Sequence, residues 1–385
     1  MKTPQLDTII LKATSRCSLA CDYCSAHAPD LAALPSRTFS PARLLECLAA
    51  LDNASLLADT LTLIWHGGEP LLFPHDHACQ LMDDIRDFAD RHGLAVRFRL
   101  QTNAFNLPPG WLQTLARHQV HVGISLDGPQ PIHDAARHAP DGSGSYRHAI
   151  QNLQTLQAHD IPTAILSVID ARHTGHERDY LDWLAPLNVS ARLNPRFDCS
   201  GTGHNDWNTY FSFLRHLFVA ALNHPHTFRL QPLDWLLQTL IHGTPPQECA
   251  FSGQCGQHLI AFTPDNRLAP CGRLADNGGP CDDWTPATIA AQLASLRDSL
   301  ERETAQQRLA TDCDSCPILK CCHGGCPAVR RAEHGHHEFC SQFRNFIAYL
   351  AHDGLRLLRQ RLQDERRRTA NLIDDLQKAM TTHQP

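Results

Sequence analysis

A chain of 385 residues that is 42% hydrophobic and 19% charged can bury a proper core, which excludes a disordered protein and leaves room for two modest domains. A formal net charge of −6 argues against general binding of nucleic acid or other polyanions. Sixteen cysteines clustered in tight groups read as metal ligands before disulfides, which suits a reducing compartment. The N-terminus, Met1-Lys2-Thr3-Pro4-Gln5-Leu6, feeds no long apolar run, and no apolar stretch approaches a membrane span. A cytoplasmic protein without membrane attachment is therefore expected.

In chain order, apolar and β-branched runs recur at Leu6–Leu11, Leu61–Trp65, Val96–Gln101, Val120–Ser125, Thr163–Ile169 and Val189–Asn194. Helix-like segments such as Pro41–Leu51, His75–His92 and Tyr146–His159 separate them. Strand and helix repeated six times predict an α/β fold with a parallel sheet and right-handed crossovers. Six units make an open partial barrel of the TIM type, with the active residues on the loops after the strand ends.

After the first run come Cys17, Cys21 and Cys24 at C-x3-C-x2-C spacing. An iron–sulfur cube takes four thiolates, so three imply one iron left open; the same three with a histidine such as His27 also suit structural zinc. Position favours the cluster, because a zinc ribbon needs no train of strands. After the second run, Gly67 and Gly68 let the backbone approach a ligand and Glu69 can accept from an ammonium, although a Gly-Gly turn gives the same letters. Gln101-Thr102-Asn103-Ala104 follows the third, where turn chemistry explains Thr and Asn equally well. Beyond the fourth, Ser125 and Arg137 offer the hydroxyl and guanidinium that a carboxylate asks for, while Asp127 and Gly128 shape the loop. Strand six ends Arg192–Asp198, and Cys199–Asn205 has the composition of a loop over the barrel mouth.

Together these motifs resemble the radical S-adenosylmethionine (SAM) superfamily, and the resemblance covers nearly the whole chain. It implies that Cys17, Cys21 and Cys24 hold a [4Fe–4S] cluster beside Tyr23, the fourth iron taking the methionine end of SAM. Gly67, Gly68 and Glu69 then match the motif that holds the SAM amine, with Asn103 a further ligand contact. Ser125 and Arg137 match the pair that binds the SAM carboxylate in the sulfatase-maturing branch and its peptide-modifying relatives. Leu193 lies where relatives set backbone against adenine.

The bridging stretches Trp207–Leu222 and Pro232–Ile241 carry Tyr210, Phe211, Phe213 and Phe218 at helical offsets, an expected core stripe. Beyond residue 245 the strand–helix rhythm is expected to stop, and thiols return at Cys249, Cys255, Cys271, Cys313, Cys316, Cys322, Cys326 and Cys340. Eight cysteines suffice for two fully ligated cubes, and two structural zinc sites could use the same ligands. Their spacing is similar to the SPASM extension, with Asn266 replacing a glycine at a left-handed turn. That resemblance assigns Cys249, Cys255, Cys271 and Cys326 to an inner cluster and Cys313, Cys316, Cys322 and Cys340 to an outer one. Cys47 and Cys79 read as small buried hydrophobes, and Cys321 does not fit the ligand spacing. The tail from Phe343 to Lys378 reads as helix, its Asp364–Arg368 charge block a solvated face.

The expected domains are a radical SAM partial barrel over 1–205, a helical bridge over 206–245, a SPASM domain over 246–345 and a C-terminal helix over 346–385. No leader-binding domain is expected ahead of the first strand. The resemblance implies a radical SAM/SPASM enzyme with three [4Fe–4S] clusters and SAM, drawing electrons from a low-potential donor such as flavodoxin or ferredoxin. Its expected substrate is a ribosomally made precursor peptide, oxidised or cross-linked on a side chain. The alternatives are an anaerobic sulfatase maturase forming formylglycine and, from another class, an iron–sulfur electron carrier or zinc scaffold. In the sulfatase-maturing branch the residue after the cysteine matching Cys271 is an aspartate base; here it is Gly272, with Asp276 and Asp198 as displaced candidates. Asp198 and His204, following strand six, are the candidate acid–base residues.

Overall fold

The computed structural model describes residues 5–24, 37–197, 206–244, 251–254, 256–276, 279, 281–309, 313–326 and 339–381. Strands β1 (Leu6–Lys12), β2 (Leu57–His66), β3 (Ala95–Thr102), β4 (His121–Ser125), β5 (Thr163–Ile169) and β6 (Ser190–Pro195) lie side by side in chain order, each parallel to the next. The crossovers carry α1 (Pro41–Asn53), α2 (His75–His92), α3 (Pro109–Arg117), α4 (Gln130–Ala136), α5 (Tyr146–Ala158) and α6 (Glu177–Leu184).

Each helix follows from its letters. In α2, Ala78, Leu81, Met82, Ile85, Phe88 and Ala89 recur every three or four residues and are buried as one stripe. Gly93, at φ 69°, ends it and returns its amide to Ala89. Alternate strand residues, including Ile9, Leu11, Leu61, Leu63, Trp65, Phe98 and Leu100, are buried in one core cluster with these helix faces. The opposite sheet face holds half-buried polar groups such as Thr62, Gln101 and Arg192.

The sheet does not stop at six strands. β7 (Leu230–Gln231) adds to β6, and β8 (Leu259–Phe262) lies parallel to β1, with β9 (Leu268–Ala269) antiparallel outside it. The cysteine-rich segment thus contributes a strand to the barrel's first edge, correcting the expectation that strands end at residue 245. Four apolar letters, Leu-Ile-Ala-Phe, are too few to show a period. The turn after β8 holds Asn266 at φ 64°, and its side chain accepts from Ser40 N at 2.7 Å.

Helix α7 (Trp207–Leu222) buries Tyr210, Phe211, Phe213 and Phe218 as its spacing predicts. Then come α8 (Leu233–His242), α9 (Gly272–Asp276), α10 (Ile289–Leu309), α11 (Leu319–Cys322) and α12 (Cys340–Tyr349). A π-turn over Leu350–Gly354 separates α12 from α13 (Leu355–Thr381), so the tail is not one even helix. At that turn Gly354 packs so close that a Cβ would meet Phe218 at 3.4 Å. The Asp364–Arg368 block is exposed.

Candidate active site

Pairing between β1 and β2 continues beyond both strands. Ala13 N donates to His66 O at 2.8 Å, Gly68 N to Thr14 O at 2.8 Å, and Glu69 N to Arg16 O at 2.7 Å. A Cβ on Gly68 would lie 2.1 Å from Arg16 O, and one on Gly67, whose φ is 123°, would lie 2.7 Å from Thr14 O. The sequence suggests glycines for close approach of a ligand. The close neighbour in the structure is the chain's own segment leading into the cysteine loop.

Glu69 is buried and closes this corner. Its Oε1 accepts from Leu71 N at 3.0 Å and Thr102 Oγ1 at 2.7 Å, and its Oε2 accepts from Asn103 N at 2.8 Å. Burial pushes the carboxyl up to about 7 against those three donors. The Asn103 amide donates to Ser18 Oγ at 3.2 Å and to Cys17 Sγ at 3.5 Å, so it faces the cysteine loop. Ser125 Oγ accepts from Gln101 Nε2 at 3.1 Å.

Arg137 and Tyr23 meet on Asp127. Arg137 Nε donates to Asp127 Oδ2 at 2.9 Å, the Tyr23 hydroxyl donates to the same oxygen, and Val168 N donates to Oδ1 at 2.9 Å. The guanidinium also stands 5.2 Å from the Tyr23 ring centroid. Burial alone would raise the Asp127 carboxyl, but Arg137 beside it holds it below the usual carboxylate range. Sequence reading gave this residue only a loop-shaping part, because an Asp before a Gly is the letter pattern of any tight turn. Asp22, the other residue between Cys21 and Cys24, accepts from Arg172 Nη1 at 3.1 Å.

The cysteine loop fits an iron–sulfur cluster by the chemistry of its donors. Burial pushes the Cys17 thiol up to about 11 and the Cys21 thiol up to about 12, and the negative charge of Cys24 adds to both. Thiolates buried together in mutual repulsion call for cationic metal in their midst. In the second field, Cys271 is raised by burial and by Cys326, and donors point at sulfur. Leu274 N lies 3.3 Å from Cys271 Sγ, Arg273 Nη1 3.7 Å from Cys326 Sγ, and Arg344 Nη2 3.9 Å from Cys316 Sγ. Cys313 is buried, Cys322 and Cys340 are half-buried, and Cys321 is buried. Cys249, Cys255, Asp198, His204 and His27 lie outside the described residues.

The Leu193 carbonyl accepts from Tyr210 Oη at 2.8 Å. Asp276, the displaced base candidate, accepts from Lys12 Nζ at 2.6 Å in a pair whose side chains are 16% and 6% exposed. Lys12 itself went unnoticed, one residue past the apolar run Leu6–Leu11. At Gly272 a Cβ would meet only ordinary contacts, Ile10 at 3.5 Å and Lys12 Cε at 4.0 Å.

Outside this region Cys79, Asp83 and His118 bring a thiol, a carboxylate and a ring nitrogen within 4.8 Å of one another. Arg86 Nε donates to His118 Nδ1 at 3.1 Å, which leaves the proton on Nε2, and Arg117 binds Asp83 at 2.7 Å. A ligating histidine needs the reverse tautomer, so the trio as it stands does not form a metal site.

A parallel open sheet with a three-thiol loop at the end of its first strand and a ligand corner built from the next three defines a class. Residues 11–184 match the model of the radical SAM superfamily, so this part of the chain is a radical SAM domain. Within that class it is related to the anaerobic sulfatase-maturating enzymes. It is 23% identical to the serine-type enzyme of Klebsiella aerogenes over 345 residues, 86% of this chain and 82% of that one. Native anSMEcpe with bound AdoMet and Cp18Cys peptide superposes with a TM-score of 0.74 at 19% identity, covering 94% of this chain and 99% of that chain. Streptococcus suis SuiB bound to precursor peptide SuiA superposes with a TM-score of 0.61 at 12% identity, covering 87% and 75%. The fold is thus a radical SAM barrel with a cysteine-rich SPASM domain. Among the described residues no helix is long and apolar enough to cross a membrane.

Proposed function

We propose that this radical SAM enzyme oxidatively modifies or cross-links side chains of a ribosomally made precursor peptide, using three [4Fe–4S] clusters, SAM and a low-potential donor such as flavodoxin or ferredoxin. Cys17, Cys21 and Cys24 hold the first cluster. Cys249, Cys255, Cys271 and Cys326 hold the inner auxiliary one, and Cys313, Cys316, Cys322 and Cys340 the outer. A cluster held by these three thiolates would supply the electron for reductive cleavage of SAM to methionine and a 5′-deoxyadenosyl radical. Glu69 retains lone-pair capacity on Oε2 for the SAM ammonium, and Ser125 with the Arg137 Nη groups takes the carboxylate. Leu193 is the proposed backbone neighbour of adenine.

The observation that carries the choice of reaction is Gly272 with its neighbour Asp276. The position of the sulfatase-maturing base has no side chain, and the carboxylate five residues past Cys271 is paired with Lys12. The Asp276 carboxylate is engaged by the Lys12 ammonium at 2.6 Å, and a carbon-centred cross-link can lose its proton to water instead. Net oxidation would remove two hydrogens from the peptide: one hydrogen atom taken up to give 5′-deoxyadenosine, one electron for which auxiliary clusters held by the second cysteine set would be the acceptor, and one proton lost to water. Formylglycine formation is the second reading, favoured by the similarity to sulfatase-maturating enzymes over most of the chain. Incubating anaerobically reconstituted enzyme with a co-encoded precursor peptide and with a sulfatase peptide tests both. The first should lose two hydrogens and the second should remain unconverted; the reverse pattern refutes the proposal.

A further inference from the structure

We infer that Asp127 is the positioning residue of the SAM site, the carboxylate that fixes the arginine facing the SAM carboxylate. The inference rests on the reading of Arg137 given above and adds the residue that aims it.

The case is one of satisfied valences. Asp127 is 1% exposed, and its Oδ2 receives both Arg137 Nε and the Tyr23 hydroxyl. Its Oδ1 is pinned by Val168 N on β5, and its own amide donates to His133 Nδ1 at 3.3 Å. Its carbonyl accepts from His173 Nε2 at 2.6 Å, with His173 Nδ1 accepting from Asp170 N at 3.2 Å. Those bonds fix both histidine tautomers and leave the carboxylate no freedom to turn. Arg137 is held from its backbone too. His133 Nε2 lies 2.9 Å from Ser145 Oγ, which donates to Arg137 O at 2.8 Å. A guanidinium bound through Nε presents its two Nη groups as a fork in a fixed direction, the geometry that a carboxylate ligand needs. No hydrogen-bond partner of those Nη groups occurs among the described residues. The same oxygen also accepts from the Tyr23 hydroxyl.

The test is a double-variant comparison on anaerobically reconstituted protein, reading SAM affinity by equilibrium dialysis alongside iron content. Asp127→Asn should weaken SAM binding by roughly tenfold or more, the effect of losing a charged hydrogen bond, with iron content unchanged. Adding Asp127→Asn to Arg137→Ala should cost nothing further, because its effect runs through the arginine. Wild-type affinity in Asp127→Asn, multiplying losses in the double variant, or iron lost in Asp127→Asn but not in Arg137→Ala would each overturn the inference. Where Asp127→Asn does not fold, Tyr23→Phe takes its place, and additivity with Arg137→Ala then overturns it. If Arg137→Ala itself leaves SAM affinity unchanged, the reading of Arg137 has failed instead.

Discussion

Ala104 shows how a single position can be legible and still carry strain. It sits at φ 52° after β3, buried, with its amide on Thr102 Oγ1 at 2.9 Å. A left-handed conformation costs a residue with a Cβ on the order of 1 kcal/mol relative to glycine. Ala104→Gly should therefore stabilise the protein by up to about 1 kcal/mol, read as a raised unfolding midpoint. His133 gives a pH signature. Burial pushes it down to about 4 from an ordinary 6.5, so it is held neutral. Its contribution is complete above about pH 6.5 and is lost as pH falls toward 4. Between about pH 7.5 and 5.5 the wild type should lose about 1 kcal/mol that His133→Gln does not lose; parallel slopes would show that His133 does not titrate as described. At this scale Glu69, Ser125 and Arg137 were visible because their letters sit in a motif. Asp127 and Lys12 were not, since one looks like a turn and the other like the end of a strand.

At the scale of elements, the ends of β5 and α2 follow directly from apolar periodicity and a glycine stop. What periodicity cannot show is a pairing between distant segments, and β1 with β8 is one. The Lys12–Asp276 pair lies beside that junction, binding the end of β1 to α9 just after Cys271. Both side chains are largely buried, so removing one leaves the other charge uncompensated. Lys12→Met or Asp276→Leu alone should destabilise by about 3 kcal/mol, whereas the double apolar variant should recover most of that. Chemical denaturation of the three variants checks this, and equal, additive losses would mean that the two residues act independently. The two glycines before Glu69 belong to this scale as well. Their role was legible as close approach, but the partner that approaches could be identified only once β1 and β2 were paired.

For the molecule as a whole, the cysteine spacing made the barrel-plus-extension plan readable, because ligand sets are local in sequence. The substrate is not local, and nothing in the letters names it. Three cubes predict about twelve irons per chain after anaerobic reconstitution, with Cys17→Ala, Cys21→Ala and Cys24→Ala together removing about four and abolishing SAM cleavage. Zinc in place of iron would contradict the cluster assignment. The measurement that bears most directly on the central claim is mass spectrometry of a co-encoded precursor peptide after turnover with SAM and a low-potential reductant. The account predicts a peptide lighter by two hydrogens, formed together with 5′-deoxyadenosine. An unchanged precursor, alongside efficient conversion of a sulfatase Cys or Ser peptide to formylglycine, would contradict it.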